Sequence, residues 1–385
     1  MSRHCPNTTA AGNVTGLNLS SSLPVNGTIV MAGHGRIELS LVDILKLGLE
    51  LLLAMFGVAG NVLVAFVISG LGKRKSTTDL FLLNLAVADL GILLLSFPLI
   101  AIRENAPLDW PLGEFVCLYL YPVPDVFHGA SVWFIAVVAV QRYWEIVLLR
   151  KPITNKSNAG KNTAMFVAAC VWLSSFLLFC LPLYFIVKYE EITTGGKRCG
   201  PFWPSWIAAQ VYIGFLTILS YILPLIVISW TYLAVSRTLR RSSRFLEDMK
   251  RDQYGVEGDE PSFLRKVKTG RLRQNKRAKR ILTPVVLVCA ITMLPLTILR
   301  LTVVIWPAVA YQEYYDYLLY VVTVFVMLNS SVNPVIYSVA SKKFRRRASY
   351  LCCRESRRER YSQRFSDRRQ HRLLGTETRL FQAKH

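Results

Sequence analysis

The sequence is poor in acidic residues: its 385 residues include 24 Asp and Glu against 46 Lys and Arg, which gives a formal net charge of +22. Such an excess of positive charge can mark a protein that binds nucleic acid. Here, however, the basic residues are concentrated at 237–280 and 341–385, whereas the first forty residues contain only Arg3 and Arg36. Because basic segments alternate with long apolar runs, we expect no nucleic acid partner.

Other features are also absent from the sequence. The apolar runs contain no combination of a nucleophile with a general base, and their hydropathy shows no inverted repeat of broken helices of the kind found in secondary transporters. The opening residues, MSRHCPNTTAAGNVTG, lack an apolar core, so no cleaved signal peptide is expected. We therefore predict neither an enzyme nor a transporter, and the first apolar run is expected to act as the targeting signal.

Long apolar runs are abundant in this chain, and hydrophobic residues make up 52% of it. Seven runs reach or approach the roughly 20 residues that a helix needs to cross a bilayer. They lie at 42–69, 79–102, 115–148, 163–187, 206–234, 281–306 and 315–340. The sequence therefore predicts an all-α membrane protein with a bundle of seven transmembrane helices.

The basic segments also predict how the chain is oriented, because cytoplasmic loops carry an excess of Lys and Arg. We expect a plasma membrane protein with an extracellular N-terminus, a cytoplasmic C-terminus and contacts with anionic membrane lipid. The predicted domains are an extracellular tail at 1–41, the bundle at 42–340, a short cytoplasmic amphipathic helix at 341–353 and a disordered tail at 354–385. The charged segment 237–275 favours helical extensions with a mobile middle.

Several residues are candidates for covalent modification. Four Asn-X-Ser/Thr sequons occur at Asn7, Asn13, Asn18 and Asn26. They predict a glycosylated tail, and a merely polar, disordered tail is the alternative. Cys352 and Cys353 follow the amphipathic stretch and are candidates for palmitoylation, with two reduced thiols as the alternative. Cys117 and Cys199 fall on the predicted extracellular side, where an oxidising environment would allow them to form a bridge.

Polar residues inside the predicted spans are candidates for function, because such groups are costly to place in lipid. Short oxygen-bearing side chains lie near the middle of several spans, at Asn61, Asp89, Ser131, Asn329, Ser330 and Asn333. These oxygens could hold a small hard cation together with water, or they could form only a network that joins the helices. Arg142 lies eleven residues after Ser131, about three helical turns, and so projects from a similar face.

In these residues and their neighbours the chain resembles the rhodopsin-like (class A) G-protein-coupled receptors, in particular those for peptides and neuropeptides. The matching segments are GNVLV with Asn61, LNLAVADL with Asp89, WPLG with Trp110, QRYWEI with Arg142, Trp172, Pro224 with Tyr232, Pro295, and NPVIY at 333–337 followed by KKFRRR. The resemblance covers about residues 42–352 and leaves both tails unmatched.

The resemblance implies a receptor that activates a heterotrimeric G protein when its helices rearrange around Arg142, with receptor kinases and arrestin as further partners. It assigns coupling and activation to Gln141, Arg142, Tyr143, Tyr232, Pro295, Asn333, Pro334 and Tyr337. It implies an allosteric sodium ion at Asp89, Ser131, Asn329, Ser330 and Asn333, and no required cofactor. It also implies a disulfide between Cys117 and Cys199 that ties the second extracellular loop across the mouth of the pocket.

The sequence departs from the family pattern near the residues that control activation. Gln141 stands where the family usually has an acid, so the local carboxylate–guanidinium pair with Arg142 is expected to be missing. Met293 replaces the usual tryptophan of the sixth span. We therefore expect a loosely held resting state with measurable basal signalling. Pro122 and Pro124 are expected to disturb the outer turns of the third span.

The sequence favours a peptide as the ligand. The lysine that carries retinal in opsins would fall at Met327, and the aspartate that binds amines would fall at Pro124, beside Asp125. The loop VKYEEITTGGKRCGPFWP predicts a charged hairpin, which would leave the pocket open to a peptide. The candidate ligand contacts are Glu50, Arg103, Asp125, His128, Glu190, Glu191, Gln210 and Arg300.

Two other functions stay open at this point. A lipid or small-molecule receptor of the same fold would carry a closed lid in place of a charged hairpin. A non-signalling scavenger or constitutively cycling receptor is suggested by Gln141 and Met293. For single residues, Arg300 could instead extend to the membrane interface, and His128 could be a hydrogen-bonded bundle residue.

Overall fold

The computed structural model describes residues 41–72, 75–105, 110–148, 158–191, 196–252, 284, 287–312, 314–340 and 344–350. The predicted glycosylation sites at Asn7, Asn13, Asn18 and Asn26 lie outside the described residues. The same holds for the palmitoylation candidates Cys352 and Cys353. These sites stay predictions.

Seven helices long and apolar enough to cross a membrane occur in the described chain. They are α1 (Leu41–Ser69), α2 (Thr77–Arg103), α3 (Gly113–Leu148), α4 (Gly160–Tyr184), α5 (Trp206–Arg244), α6 (Leu287–Ile305) and α7 (Tyr315–Ile336). The helix that contains the end of α5 continues to Asp252, beyond the predicted span end at 234. Residues 344–350 form a further short helical segment, α8.

Polar caps begin two of the helices. Ser76 Oγ accepts a hydrogen bond from Asp79 N at 3.2 Å, and an Asp79 carboxylate oxygen accepts one from Ser76 N at 2.9 Å. This reciprocal pair satisfies two backbone donors at the start of α2. Ser205 caps α5 by accepting from Ala208 N at 3.1 Å.

Prolines widen the turns of several spans. A π-helical turn covers Ile92–Ser96 in α2, Phe176–Cys180 in α4 and Ile218–Ile222 in α5. Each of these turns precedes a proline by two residues, at Pro98, Pro182 and Pro224. A proline donates no N–H and its ring crowds the carbonyl four residues earlier, so a wider turn accommodates it.

The outer part of α3 departs furthest from regular helix. The π-helical turn Val116–Leu120 ends at a turn over Tyr121, and α-helix resumes at Pro124. This break confirms the expected effect of Pro122 and Pro124. It lies in the end of the bundle that also holds the disulfide, which we call the disulfide end; the opposite end, which holds Arg142, is called the Arg142 end.

The centre of the bundle is formed around α3, which packs against α2, α4 and α5, while α1 packs against α2 and α7. Phe134 and Ile135 of α3, Leu85 of α2 and Ile228 of α5 are almost fully buried in one cluster. Large apolar side chains on the outer surface, such as Leu52 and Phe166, are exposed. An apolar outer surface of this extent suits a bundle surrounded by lipid.

Glycines allow α1 to approach its neighbours closely. A Cβ atom at Gly57 would lie 2.6 Å from Leu93 Cδ1 and would also overlap the Ser331 hydroxyl, and a Cβ atom at Gly60 would lie 2.9 Å from Pro334 Cβ. Real Cβ atoms essentially never come this close to a neighbour. Small residues at these positions therefore set the distance between α1 and α7.

We predict that Gly57→Ala lowers the melting temperature of the purified protein, because overpacking a tight interface costs about 1–3 kcal/mol. Gly48→Ala is the matched control, since nothing lies within 4 Å of a Cβ atom there on the same helix. The two variants are compared by thermal unfolding in one detergent. Equal melting temperatures would show that the α1–α7 contact relaxes without cost.

Candidate functional site

The disulfide end carries the predicted hairpin. Strand β1 (Val187–Glu191) pairs antiparallel with β2 (Lys197–Pro201), and the register places Glu190 opposite Arg198 and Glu191 opposite Lys197. Opposite charges across a strand pair stabilise it. The predicted hairpin is thus confirmed in its strands, while residues 192–195 lie outside the described part of the chain.

The hairpin is fixed to α3 by the Cys117–Cys199 disulfide, which confirms the predicted pair. Trp110, which is buried, packs in the same cluster as both cysteines, and its backbone N donates to Lys197 O at 2.6 Å. The loop is therefore held at the end of the bundle by a covalent bond, a backbone hydrogen bond and apolar packing.

Charged side chains surround this end of the bundle. Glu190 and Glu191 are exposed on β1, and Lys188 Nζ lies 3.6 Å from a Glu190 carboxylate oxygen. Arg103, at the end of α2, donates to the Tyr121 hydroxyl at 2.7 Å. These groups are accessible to a large polar ligand without rearrangement of the helices.

A second polar group lies deeper, between α3, α5 and α6. The Arg300 guanidinium is 3.5 Å from Ser220 Oγ of α5. Its positive charge attracts the Asp125 carboxylate of α3 and opposes a positive charge on His128 of the same helix. Arg300 is partly buried and faces α5, which favours the pocket over extension to the membrane interface. His128 is buried.

Two further predicted ligand contacts lie on α5 and α1. Gln210 Nε2 donates to Val304 O at 2.9 Å and so joins α5 to α6. Glu50 is buried in α1.

Tyr212, which the sequence reasoning missed, interacts electrostatically with both Asp125 and Arg300 and donates its hydroxyl to Phe179 O at 3.1 Å. The structure therefore brings together Asp125, His128 and Arg300, with Tyr212 beside them.

Asp89 is the centre of the polar network in the middle of the bundle, and it is fully buried. Ser131 Oγ donates to one of its carboxylate oxygens at 2.8 Å, and Asn333 Nδ2 donates to the other at 2.9 Å. Asp89 thus joins α2 to α3 and α7. Ser330 approaches the same carboxylate, but its hydroxyl forms no hydrogen bond of good geometry with any described residue.

Asn329 is directed elsewhere, toward α6. Its side-chain oxygen lies 3.1 Å from Thr292 Oγ1, and Thr292 is a residue that the sequence reasoning missed. Asn61 of α1 donates to Ser330 O and to Gly57 O, each at 3.0 Å. Three of the five predicted sodium ligands, Ser131, Ser330 and Asn333, lie around the carboxylate of a fourth, Asp89. The fifth, Asn329, faces α6 instead.

The Arg142 end contains a carboxylate–guanidinium pair that the sequence analysis did not expect. Arg142 Nη1 lies 2.8 Å from Glu145 Oε2. The other oxygen of Glu145 accepts from Gln141 Nε2 at 3.1 Å and from Thr78 Oγ1 at 3.3 Å. The expectation that the local pair is missing was therefore wrong: the acid stands three residues after the arginine, a spacing that places both side chains on one helix face.

The remaining residues of the predicted activation switch are distributed along α3, α5, α6 and α7. Tyr143 contacts the ring of Trp230 at 4.8 Å between centroids, and Tyr232 packs against the main core. Pro295 lies within α6 and Pro334 within α7. The side chain of Tyr337 lies outside the described set, so its role stays a prediction.

We predict that Asn333→Ala destabilises the bundle. Removing a hydrogen-bond donor from a buried carboxylate lowers the free energy of unfolding by about 1–3 kcal/mol. Val335→Ala serves as the control, since Val335 lies two residues away on the same helix and is exposed. Thermal unfolding in the absence of added sodium compares the variants. If Asn333→Ala lowers the melting temperature no more than Val335→Ala does, the Asp89–Asn333 bond does not stabilise the bundle.

Comparison with known proteins agrees with this architecture. The profile of the family "7 transmembrane receptor (rhodopsin family)" matches residues 60–337. The chain is 29% identical over 312 residues to somatostatin receptor type 5 of Bos taurus, covering 79% of this chain and 75% of that one. It is 26% identical over 345 residues to somatostatin receptor type 2 of Sus scrofa, covering 87% and 85%.

A third relative comes from an invertebrate. Over 297 residues the chain is 26% identical to tachykinin-like peptides receptor 99D of Drosophila melanogaster, covering 74% of this chain and 52% of that one. The family match spans most of the chain, includes every described helix from the middle of α1 to α7, and concerns receptors rather than enzymes. The chain is therefore a multi-pass membrane protein that belongs to the rhodopsin family of seven-transmembrane receptors.

Proposed function

We propose that this protein is a plasma membrane receptor that binds an extracellular peptide at its disulfide end and activates a heterotrimeric G protein at its Arg142 end. The observation that carries the proposal is the charged, disulfide-anchored hairpin at the opposite end of α3 from Arg142. The names of the somatostatin and tachykinin-like peptide receptors among its relatives support a peptide ligand.

The proposed orientation rests on charge. The N-terminal tail is extracellular and the C-terminal tail is cytoplasmic, because basic residues crowd the connections that adjoin the Arg142 end. A disulfide at the opposite end is consistent with an oxidising compartment there. The same basic segments would contact anionic lipid of the inner leaflet, and receptor kinases and arrestin would act on this side.

The proposed ligand site has two levels. Glu190, Glu191 and Arg103 contact the outer part of the peptide, and the inner part reaches Asp125 and Arg300. A site that presents both a carboxylate and a guanidinium suits a peptide that carries opposite charges of its own. Exposed charges on the hairpin disfavour a lipid ligand, which would enter under an apolar lid. Glu50, His128 and Gln210 complete the proposed set.

We also propose an allosteric sodium ion beside Asp89. The donors fit the ion, because Asp89, Ser131 and Ser330 provide hard oxygens and the Ser330 hydroxyl has no good hydrogen bond among the described residues. Asn329 and Asn333 would contribute if their side-chain oxygens turned toward the ion. When bound, sodium would neutralise the Asp89 charge and favour the resting arrangement of α2, α3 and α7.

The first test of the proposed function is a screen of a neuropeptide library on cells that express the chain. We predict a peptide that stimulates nucleotide exchange on a heterotrimeric G protein, and loss of that stimulation in Arg142→Ala at equal surface expression. Glu114→Ala, at the disulfide end, is the control for altering a charged residue elsewhere on α3. Full stimulation in Arg142→Ala would exclude Arg142 from coupling, and a scavenger would bind peptide without any exchange.

The second test concerns the inner pocket. Arg300→Ala is expected to raise the half-maximal peptide concentration roughly 30- to 150-fold, because truncating one partner of a desolvated charge pair costs about 2–3 kcal/mol. Lys46→Ala, a cation near the same end that lies 4.3 Å from the Tyr317 ring centroid, should change it little. Unchanged potency for Arg300→Ala would remove this residue from the site.

The third test concerns sodium. Raising sodium at constant ionic strength, with potassium as the replacement, is expected to lower ligand-independent nucleotide exchange several-fold for the native receptor. Asp89→Asn removes the charge that would hold the ion and should abolish this dependence. An identical response to both salts in the native receptor would contradict the sodium proposal.

A further inference from the structure

Glu145 makes three polar side-chain contacts at the Arg142 end. One carboxylate oxygen pairs with the Arg142 guanidinium at 2.8 Å. The other accepts hydrogen bonds from Gln141 of the same helix at 3.1 Å and from Thr78 of α2 at 3.3 Å. Both oxygens are thus engaged, and the three partners come from two helices.

The surroundings of this carboxylate distinguish it from an ordinary surface ion pair. An exposed pair three residues apart on a helix contributes little to stability, because both long side chains keep their freedom in water. Here the Arg142 and Glu145 side chains are 29% and 27% exposed, and Thr78 is buried. The Thr78 contact fixes Glu145 to α2, so the guanidinium is held with respect to two helices.

Gln141 does not leave Arg142 without an acidic partner, contrary to the expectation from the sequence. In the family that the chain resembles, the residue before the arginine is usually an acid that pairs with it directly. Gln141 instead donates its amide to Glu145, and the acid that pairs with the arginine lies three residues further on. The Arg142 pair is therefore displaced along α3 by about one helical turn, and Gln141 supports it.

We propose that Glu145 is the positioning residue that holds Arg142 in the resting receptor, with Thr78 and Gln141 fixing the Glu145 carboxylate. This inference rests on the proposed function, in which Arg142 must become available to a G protein. A charge-assisted contact formed only in the resting state lowers the population of the active state. The receptor is therefore expected to have low basal activity, in contrast to the loosely held state expected from Gln141 and Met293.

The inference is tested with purified full-length receptor in lipid nanodiscs. Ligand-independent nucleotide exchange is measured on a panel of heterotrimeric G proteins, and backbone hydrogen–deuterium exchange is measured over residues 137–148 without any G protein. Glu145→Gln keeps the size of the side chain and removes its charge. Glu114→Gln, at the far end of α3, makes the same chemical change away from Arg142 and is the matched control.

We expect Glu145→Gln to raise basal nucleotide exchange roughly tenfold, the lower limit for losing one charge-assisted contact, because Gln can keep a neutral hydrogen bond. Thr78→Val should raise it about twofold, because the carboxylate would keep its Arg142 and Gln141 contacts. Hydrogen–deuterium exchange over 137–148 should increase in Glu145→Gln and stay unchanged in Glu114→Gln. The double variant Gln141→Glu/Glu145→Gln returns an acid to the family position and should restore the native values.

Two results would overturn the inference. The first is native behaviour of Glu145→Gln in both measurements, and the second is a double variant that stays as active as Glu145→Gln, since charge next to Arg142 would then not be what holds it. Failure of the proposed function has a different signature: none of the G proteins responds to any variant. In that case hydrogen–deuterium exchange alone decides whether Glu145 holds Arg142.

Discussion

The architecture depends on one constraint: the interior of a membrane offers no water, so a polar side chain in a span is stabilised by a partner on another helix or on its own backbone. Asp89 satisfies this requirement by joining α2 to α3 and α7. Asn61 joins α1 to α7, and Thr292 lies against Asn329 to join α6 to α7. Tyr221 of α5 donates to Ala290 O of α6 at 3.3 Å. These contacts fix which face of each helix turns inward.

Helix α3 connects the two ends of the molecule that carry the proposed activities. It holds Cys117 at the hairpin, Asp125 in the pocket, Ser131 beside Asp89 and Arg142 with Glu145 at the other end. The disulfide holds the outer part of α3 to the hairpin, and the apolar core around Phe134 holds its middle. The polar contacts at its Arg142 end can be exchanged for others. A ligand-dependent shift can therefore change which contacts form around Arg142 without unfolding the helix.

The seven spans, the hairpin and the disulfide could be predicted from the sequence, because hydrophobic runs and turn residues act locally and the family resemblance is specific. A helical extension of α5 was expected from the charged segment 237–275 and is confirmed as far as Asp252, but its last residue could not be predicted, since a polar helix beyond the membrane has no hydropathy signal. The close approach of Gly57 to Ser331 depends on how two distant helices pack. The Arg142–Glu145 pair does have a sequence signal, because the spacing of three residues in QRYWEI is typical of a helical ion pair. The expectation based on Gln141 did not include it. The contact from Thr78, sixty-seven residues away, has no sequence signal.

The central claim is that Arg142 is held by Glu145 at rest and released when the receptor is activated. Its most direct test is the distance between spin labels at Val147 of α3 and Leu287 of α6, measured by pulsed electron resonance with and without the activating peptide and a nucleotide-free G protein. The account predicts that the labels move apart on activation and that Glu145→Gln shifts the peptide-free distribution in the same direction. A distance that stays constant while the peptide stimulates nucleotide exchange would contradict it.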